Sequence, residues 1–217
     1  IFSGTGLREG LVFDQLTADM RNEDGLIAGC KKYALKFGRF DDLSAYESLA
    51  QWMKPLFSGA DEHFFRLLQA SCFLSDIVGF DHEEYQAVRA FEQILVMPLY
   101  AVSHTGRAFL ALSQYARYKG YIPRDNQDDK KNVTYPAQHI LDDWTKNQAE
   151  ITGLAQRLGY LLSGGALHLL EQTELKISGR KLTLSIDAQS GLLDDEIIGE
   201  SLRDLSAKLG LEAEIQG

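Results

Sequence analysis

Apolar residues recur at intervals of three and four along the chain as far as about residue 165, which is the spacing of an amphipathic helix. Gly38 is placed to end one clear stripe, and the segment from Asp61 is apolar on almost all sides, as in a helix at the centre of a bundle. The predicted helices cover residues 7–17, 26–37, 43–57, 61–77, 81–95, 105–118, 137–144 and 146–162. The pattern therefore predicts a mainly α fold, a multi-helix bundle.

The pattern changes from helical to alternating after residue 165. Residues 174–178 and 181–186 alternate apolar and polar positions on either side of a glycine-containing turn, which predicts a β-hairpin. A helical stripe follows over residues 198–209, and residues 211–215 alternate again. The segment 166–217 is thus predicted to be a small α+β unit with three strands and one helix.

Composition and charge narrow the classes of function. The chain has 217 residues, of which 45% are hydrophobic, and this length is ample for a real core. Its net charge is −9, and residues 166–217 carry 5 basic and 10 acidic side chains, which disfavours binding to nucleic acid. No apolar run approaches the ~18 residues of a membrane helix. Two cysteines form no disulfide framework, so we expect a cytoplasmic protein without a membrane partner.

Positive charge is concentrated in the segment between Gly25 and Phe40, which contains no acidic residue. Lys32, Lys36 and Arg39 are spaced to share one helical face opposite the apolar stripe. Such a face is often simply solvated, but it would also hold several phosphates of a linear polyanion. A second candidate basic patch comprises Arg107, Arg117, Lys119 and Arg124.

The first residues contain the most specific motif of the chain. Residues 3–10 read Ser-Gly-Thr-Gly-Leu-Arg-Glu-Gly, a glycine-rich turn leading into a helix N-terminus that favours an anion. This string resembles the Ser-Gly-x-Gly-Leu-Arg-Glu-Gly segment of the exopolyphosphatase/guanosine pentaphosphate phosphohydrolase family. The resemblance continues more weakly through residues 68–79, 107–118 and 146–162 and through the final hairpin.

The resemblance implies a hydrolase that cleaves terminal phosphate from polyphosphate or from a guanosine alarmone, and that forms a homodimer. In the family, an actin-like fold carries the phosphate loops, the glutamate that activates water and a divalent metal such as Mg²⁺. The chain opens at Ile1 in what looks like half a strand, so we expect it to be the C-terminal piece of a longer protein. Residues 1–18 would close the actin-like domain, residues 19–165 would form a helical domain and residues 166–217 the α+β unit.

The helical domain of this family shares its fold with HD-type phosphohydrolases, and residues 74–79 resemble their Leu-His-Asp-Ile-Gly motif. A working HD site needs several His and Asp side chains around its metal. Here Ser75 takes the place of the motif histidine, and the preceding helix contains no histidine. We therefore predict that Asp76 is a structural aspartate rather than a metal ligand, and that this chain holds no cofactor.

Two hypotheses follow for the function of the chain. In the first, it positions substrate and supports dimerisation of an exopolyphosphatase-like enzyme, without catalytic residues of its own. The substrate-binding candidates are Arg8, Lys32, Lys36, Arg39 and Arg117. In the second, it is a non-catalytic, degenerate HD module that serves protein interaction and oligomerisation.

Overall fold

The fold is a helical bundle with a three-stranded sheet at its C-terminal end. A computed structural model describes residues 15, 17, 22–123, 132–187 and 196–217. The α-helices in these residues are α1 (Gly25–Phe37), α2 (Ser44–Met53), α3 (Glu62–Phe73), α4 (Glu83–Val96), α5 (His104–Lys119), α6 (Tyr135–Gln138), α7 (Asp143–Leu162) and α8 (Glu196–Leu209). Two 3-10 helices cover Lys54–Phe57 and Leu167–Gln172, and the strands are β1 (Thr173–Ser178), β2 (Lys181–Ile186) and β3 (Glu212–Gln216). A mainly α fold with a small α+β unit is confirmed.

Capping side chains set the beginnings of four helices. Asp24, Asp61, Ser103 and Asp142 precede α1, α3, α5 and α7, and the side-chain oxygen of each accepts a backbone N–H of the first turn. Such a bond satisfies a donor that the helix itself leaves unpaired. Gly120 ends α5 in the left-handed conformation with a φ of 86°, which glycine adopts without steric cost.

Three predicted helix boundaries are wrong. α3 ends at Phe73, and the residues from there to Phe80 form turns although most of them are buried. α4 begins at Glu83 with His82 as its N-cap, whereas the pattern predicts a helix from residue 81. The short helix predicted over residues 137–144 is α6, which ends at Gln138, and Trp144 belongs to α7. The helix predicted over residues 7–17 lies outside the described residues apart from positions 15 and 17.

The two central helices, α5 and α7, approach each other most closely at Gly153. A Cβ atom at Gly153 would lie 2.3 Å from the backbone oxygen of Ser113 and 2.5 Å from the Cβ of Ala116. Near this crossing, the side chains of Gln114 and Gln156 are hydrogen-bonded to each other at 3.0 Å and both donate to the hydroxyl of Ser71. Glycine is therefore required at position 153 because the backbones leave no room for a side chain.

The sheet has the order β1-β2-β3. β1 and β2 form the predicted antiparallel hairpin, while β3 pairs with β2 in parallel, which requires a crossover connection. α8 lies in that connection, and its Leu202 and Leu205 are buried. The indole Nε1 of Trp52 donates to the hydroxyl of Thr173 at 2.9 Å, and this bond joins the bundle to β1. The predicted boundary near residue 165 stays a prediction.

Among the helices that the structure describes, none combines the length and the apolar character that crossing a membrane requires.

The close approach at Gly153 predicts that Gly153→Ala destabilises the protein. The added methyl group would overlap backbone atoms of α5, so we expect a loss of roughly 1–3 kcal/mol in the free energy of unfolding. Urea denaturation followed by circular dichroism measures this loss. The matched control is Gly199→Ala in α8, whose new methyl would meet only the end of the flexible Arg203 side chain. Equal stability of the Gly153 variant and the wild type would contradict the packing argument.

Candidate anion-binding site

Asp76 lies in the buried turn that follows α3, and its carboxylate is fully excluded from solvent. Arg39, two residues beyond the end of α1, surrounds this carboxylate with three donors. Its backbone N–H donates to Oδ2 at 3.0 Å, Nε donates to Oδ2 at 2.8 Å, and Nη2 donates to Oδ1 at 2.8 Å. The ion pair raises the pKa of Arg39. Both carboxylate oxygens are therefore occupied by a bidentate guanidinium contact.

A second arginine, Arg117 near the end of α5, faces the same carboxylate. Its Nη2 lies 3.6 Å from Oδ1 of Asp76, and its side chain is only 6% exposed. The guanidinium carbon is 4.1 Å from the ring centre of Tyr118 and 3.8 Å from that of Tyr160, so two aromatic rings contact it. Its Nε is buried and has no hydrogen-bond partner among the described residues. Arg117 is thus a buried cation with unused donor capacity.

Two tyrosines and Ser75 form a neutral hydrogen-bonded wall beside the arginines. The hydroxyl of Ser75 is 2.8 Å from the hydroxyl of Tyr160, and the hydroxyl of Tyr118 donates to the backbone oxygen of Ser75 at 3.0 Å. Burial raises the pKa of both tyrosines, of Tyr160 well above its usual value. Both phenols are therefore protonated at neutral pH and add no charge.

These side chains line a pocket of about 400 Å³, which we call the arginine pocket after Arg39, Arg117 and Arg157. Its other lining residues are Asp76, Gly79, Asp81, Glu83, Gln86, Tyr118, Tyr160, Leu161, Gly164 and Gly165. Gly164 and Gly165 have φ values of 57° and 87°, a conformation that favours glycine. The chain after α7 can therefore turn beside the arginines without placing side chains over them.

The charges of the pocket are divided between an inner cluster and a rim. The inner cluster contains three guanidinium groups and the single carboxylate of Asp76. At the rim, Asp81 forms an ion pair with Arg89 at 3.2 Å, and Glu83 is exposed. The inner cluster therefore has an excess of positive charge, which attracts an anion.

The residues around Asp76 do not fit a metal ion. Arginine donors occupy both carboxylate oxygens, and Ser75, in the place of the HD-motif histidine, contacts Tyr160. In the described ranges no group of three His, Cys, Asp or Glu side chains is arranged to hold a metal ion. Asp76 is the shared ion-pair partner of Arg39 and Arg117, and its role as a structural aspartate stays a prediction.

The five predicted substrate-binding residues lie in different places. Arg39 and Arg117 meet at Asp76, while Lys32 and Lys36 are exposed on α1 and Arg8 lies outside the described residues. The prediction that Arg39 shares a helical face with Lys32 and Lys36 is wrong. α1 ends at Phe37, and the guanidinium of Arg39 turns towards Asp76. The roles of all five in substrate binding stay predictions.

The second basic patch is not a single surface. Arg107 donates to the backbone oxygens of Met97 and Leu99, at 2.6 and 3.0 Å, and also to that of Ile94 at the end of α4. This arginine therefore satisfies carbonyl groups that the helix leaves free. Arg124 lies outside the described residues. Arg157, which the sequence analysis missed, lines the pocket from α7, where it is half-buried between the buried Gln156 and Leu158.

The ion cluster predicts that Asp76→Asn strongly destabilises the protein. Arg117 would be left as a buried charge without its counterion, and breaking a buried pair in this way costs roughly 3–5 kcal/mol. Urea denaturation gives the change in the free energy of unfolding. Asp81→Asn is the control, since its partner Arg89 is 63% exposed and an exposed pair contributes about 1 kcal/mol or less. Equal losses in the two variants would contradict the assigned role of Asp76.

Comparison with known proteins identifies the family. The family model described as "Exopolyphosphatase, C-terminal" matches residues 44–215. This range extends from the first residue of α2 into β3 and includes Asp76, Arg117 and Arg157, whereas Arg39 lies just before it. A search of curated proteins gives no match. Because the family model covers well over half of the chain, the protein belongs to the exopolyphosphatase C-terminal family.

Proposed function

We propose that this chain is the substrate-guiding part of an exopolyphosphatase-like hydrolase. The enzyme would release terminal phosphate from inorganic polyphosphate or from guanosine pentaphosphate. The family match over residues 44–215 supports the class of enzyme. The observation that carries the guiding role is the arginine pocket, in which Arg39 and Arg117 meet the carboxylate of Asp76 and Arg157 also lines the wall. A protein with a net charge of −9 needs such local concentrations of positive charge to bind a polyanion.

The basic side chains divide this task between a flexible surface and a fixed pocket. Lys32 and Lys36 are exposed on α1, and their ammonium groups would contact successive phosphates of a chain as mobile point charges. Arg39 and Arg117 are held by Asp76, so their guanidinium groups would meet a phosphate in a fixed orientation. Arg8, which lies outside the described residues, would also bind substrate.

Phosphoanhydride cleavage itself would take place on other residues of the enzyme. The reaction is attack of water on a terminal phosphorus in line with the leaving oxygen, and it needs a group that orients the water and stabilisation of the transferred charge. A Mg²⁺ ion would supply part of that stabilisation. Asp76 does not serve either purpose, because Arg39 occupies both of its oxygens.

We further propose that the protein is a cytoplasmic homodimer. Both cysteines are free and buried, which suits a reducing compartment. Large apolar side chains such as Phe80 and Val96 are 79% and 81% exposed, and a second subunit would cover part of this surface. The competing function, a degenerate HD module that serves only oligomerisation, uses the same surface but needs no phosphate affinity.

Because the proposal places catalysis on other residues of the enzyme, it predicts that this chain alone releases no phosphate from polyphosphate. The Asp76 cluster lacks a free carboxylate to orient water, so added Mg²⁺ is expected to produce no turnover. A molybdate assay for released phosphate measures the result over a range of Mg²⁺ concentrations. Metal-dependent phosphate release by this chain alone would place catalysis in it and overturn the proposal.

The guiding role predicts that the double variant Lys32→Glu, Lys36→Glu binds long-chain polyphosphate at least about tenfold more weakly than wild type, a loss of about 1.4 kcal/mol. Removing two contacts and adding two repulsive charges causes this loss. The control is Lys176→Glu with Arg180→Glu, which changes the net charge equally on the exposed hairpin. Filter binding measures affinity, and light scattering measures oligomeric size. Unchanged affinity with altered size would favour the oligomerisation module instead.

A further inference from the structure

The arginine pocket contains hydrogen-bond donors that the protein itself does not use. Nη1 of Arg39 and Nε of Arg117 have no hydrogen-bond partner among the described residues. Arg157 donates from Nη1 to the backbone oxygen of Tyr118 at 3.2 Å, and its other guanidinium nitrogens make no bond within the described ranges. Of these donors only Nε of Arg117 is buried, where an unpaired donor is costly, whereas the Arg39 side chain is 38% exposed and Arg157 is half-buried. An oxyanion entering the pocket would accept from the accessible donors.

The charge of the inner cluster selects the kind of anion. Asp76 offsets one of the three guanidinium charges, so the four side chains of the inner cluster carry a net charge of +2. At the rim, Asp81 is paired with Arg89 and Glu83 is exposed to solvent. A compact anion with two negative charges balances the inner cluster, whereas a cation would be repelled.

The shape of the pocket keeps the donors within reach of a ligand. A Cβ atom at Gly165 would lie only 3.5 Å from Nη1 of Arg39, so any side chain at this position would cover that nitrogen. On the other side, a Cβ atom at Gly79 would lie 2.9 Å from Nε of the same arginine. Tyr118 and Tyr160 hold Arg117 between their rings. The donors are thus fixed before a ligand arrives, which reduces the entropic cost of binding.

We propose that the arginine pocket binds one terminal phosphate group, a dianion whose oxygens accept from Arg39, Arg117 and Arg157. The group is either free orthophosphate or the end group of a phosphate chain. The inference deepens the proposed function, and it rests on that function for the identity of the phosphate chain. It adds Arg157 as a binding residue and assigns to the pocket the end of the substrate, or the released product, rather than its middle.

Binding of sodium phosphate to this chain, measured by calorimetry and by thermal unfolding, tests the proposal. Sodium chloride at equal ionic strength is the reference, since it screens charges without occupying the site. Phosphate is expected to raise the melting temperature above that reference in a saturable manner. Arg157→Gln is expected to weaken phosphate binding at least tenfold, Arg157→Lys to weaken it less, and Lys176→Gln to leave it unchanged. Arg157 is used because Arg117 is buried and its loss would threaten folding.

Tripolyphosphate distinguishes the two sources of the phosphate group. If Arg157→Gln weakens the binding of tripolyphosphate and of orthophosphate alike, the pocket takes the end of a chain. If it weakens only orthophosphate, the pocket takes the free ion. The Lys32→Glu, Lys36→Glu variant is expected to retain orthophosphate binding. The orthophosphate measurement therefore tests the pocket even if these lysines do not guide polyphosphate. A phosphate response absent at tens of millimolar, or identical in wild type and Arg157→Gln, would overturn the inference.

Discussion

The buried carboxylate of Asp76 is the interaction on which the central part of this structure depends. It joins the chain after α1, through Arg39, to the end of α5, through Arg117. A lone carboxylate at this depth would be expensive, and so would the guanidinium of Arg117. Each group is tolerated because the others are present, and the tyrosines of α5 and α7 close the cluster.

This arrangement gives the pocket a chemistry opposite to that of a metal site. In a metal centre, several carboxylates and imidazoles collect around a cation. Here one carboxylate is surrounded by arginines, and Ser75 contacts a tyrosine instead of a metal. The excess of positive charge around this carboxylate favours an anion over a cation at the turn after α3.

The positions of the basic residues connect this electrostatic argument to the proposed function. Lys32 and Lys36 are exposed on α1, whereas Arg39, Arg117 and Arg157 are held in place by hydrogen bonds, ion pairs or aromatic contacts. Mobile charges suit a long flexible polyanion, and a fixed cluster suits one group of defined geometry. Under the proposed function, both groups of basic residues would bind phosphate groups of the substrate.

Local sequence determined the helices and strands because their signals lie within a few residues. Apolar spacing, caps such as Asp142 and the turn at Gly179 are each read within one segment, and these elements agree with the structure. The motif in residues 3–10 also indicated the family, which the family model confirms.

Tertiary structure decided which charges meet. Arg39 reaches Asp76 across 37 residues of chain, and no local pattern encodes such a contact. Arg157 belongs to no local motif of α7, so the sequence did not single it out. Lys32 and Lys36 were grouped with Arg39 because helical spacing extends through Gly38. The pocket forms only where the chain after α1, the end of α5 and α7 pack together. This packing brings the charges into contact and leaves some of their donors unused.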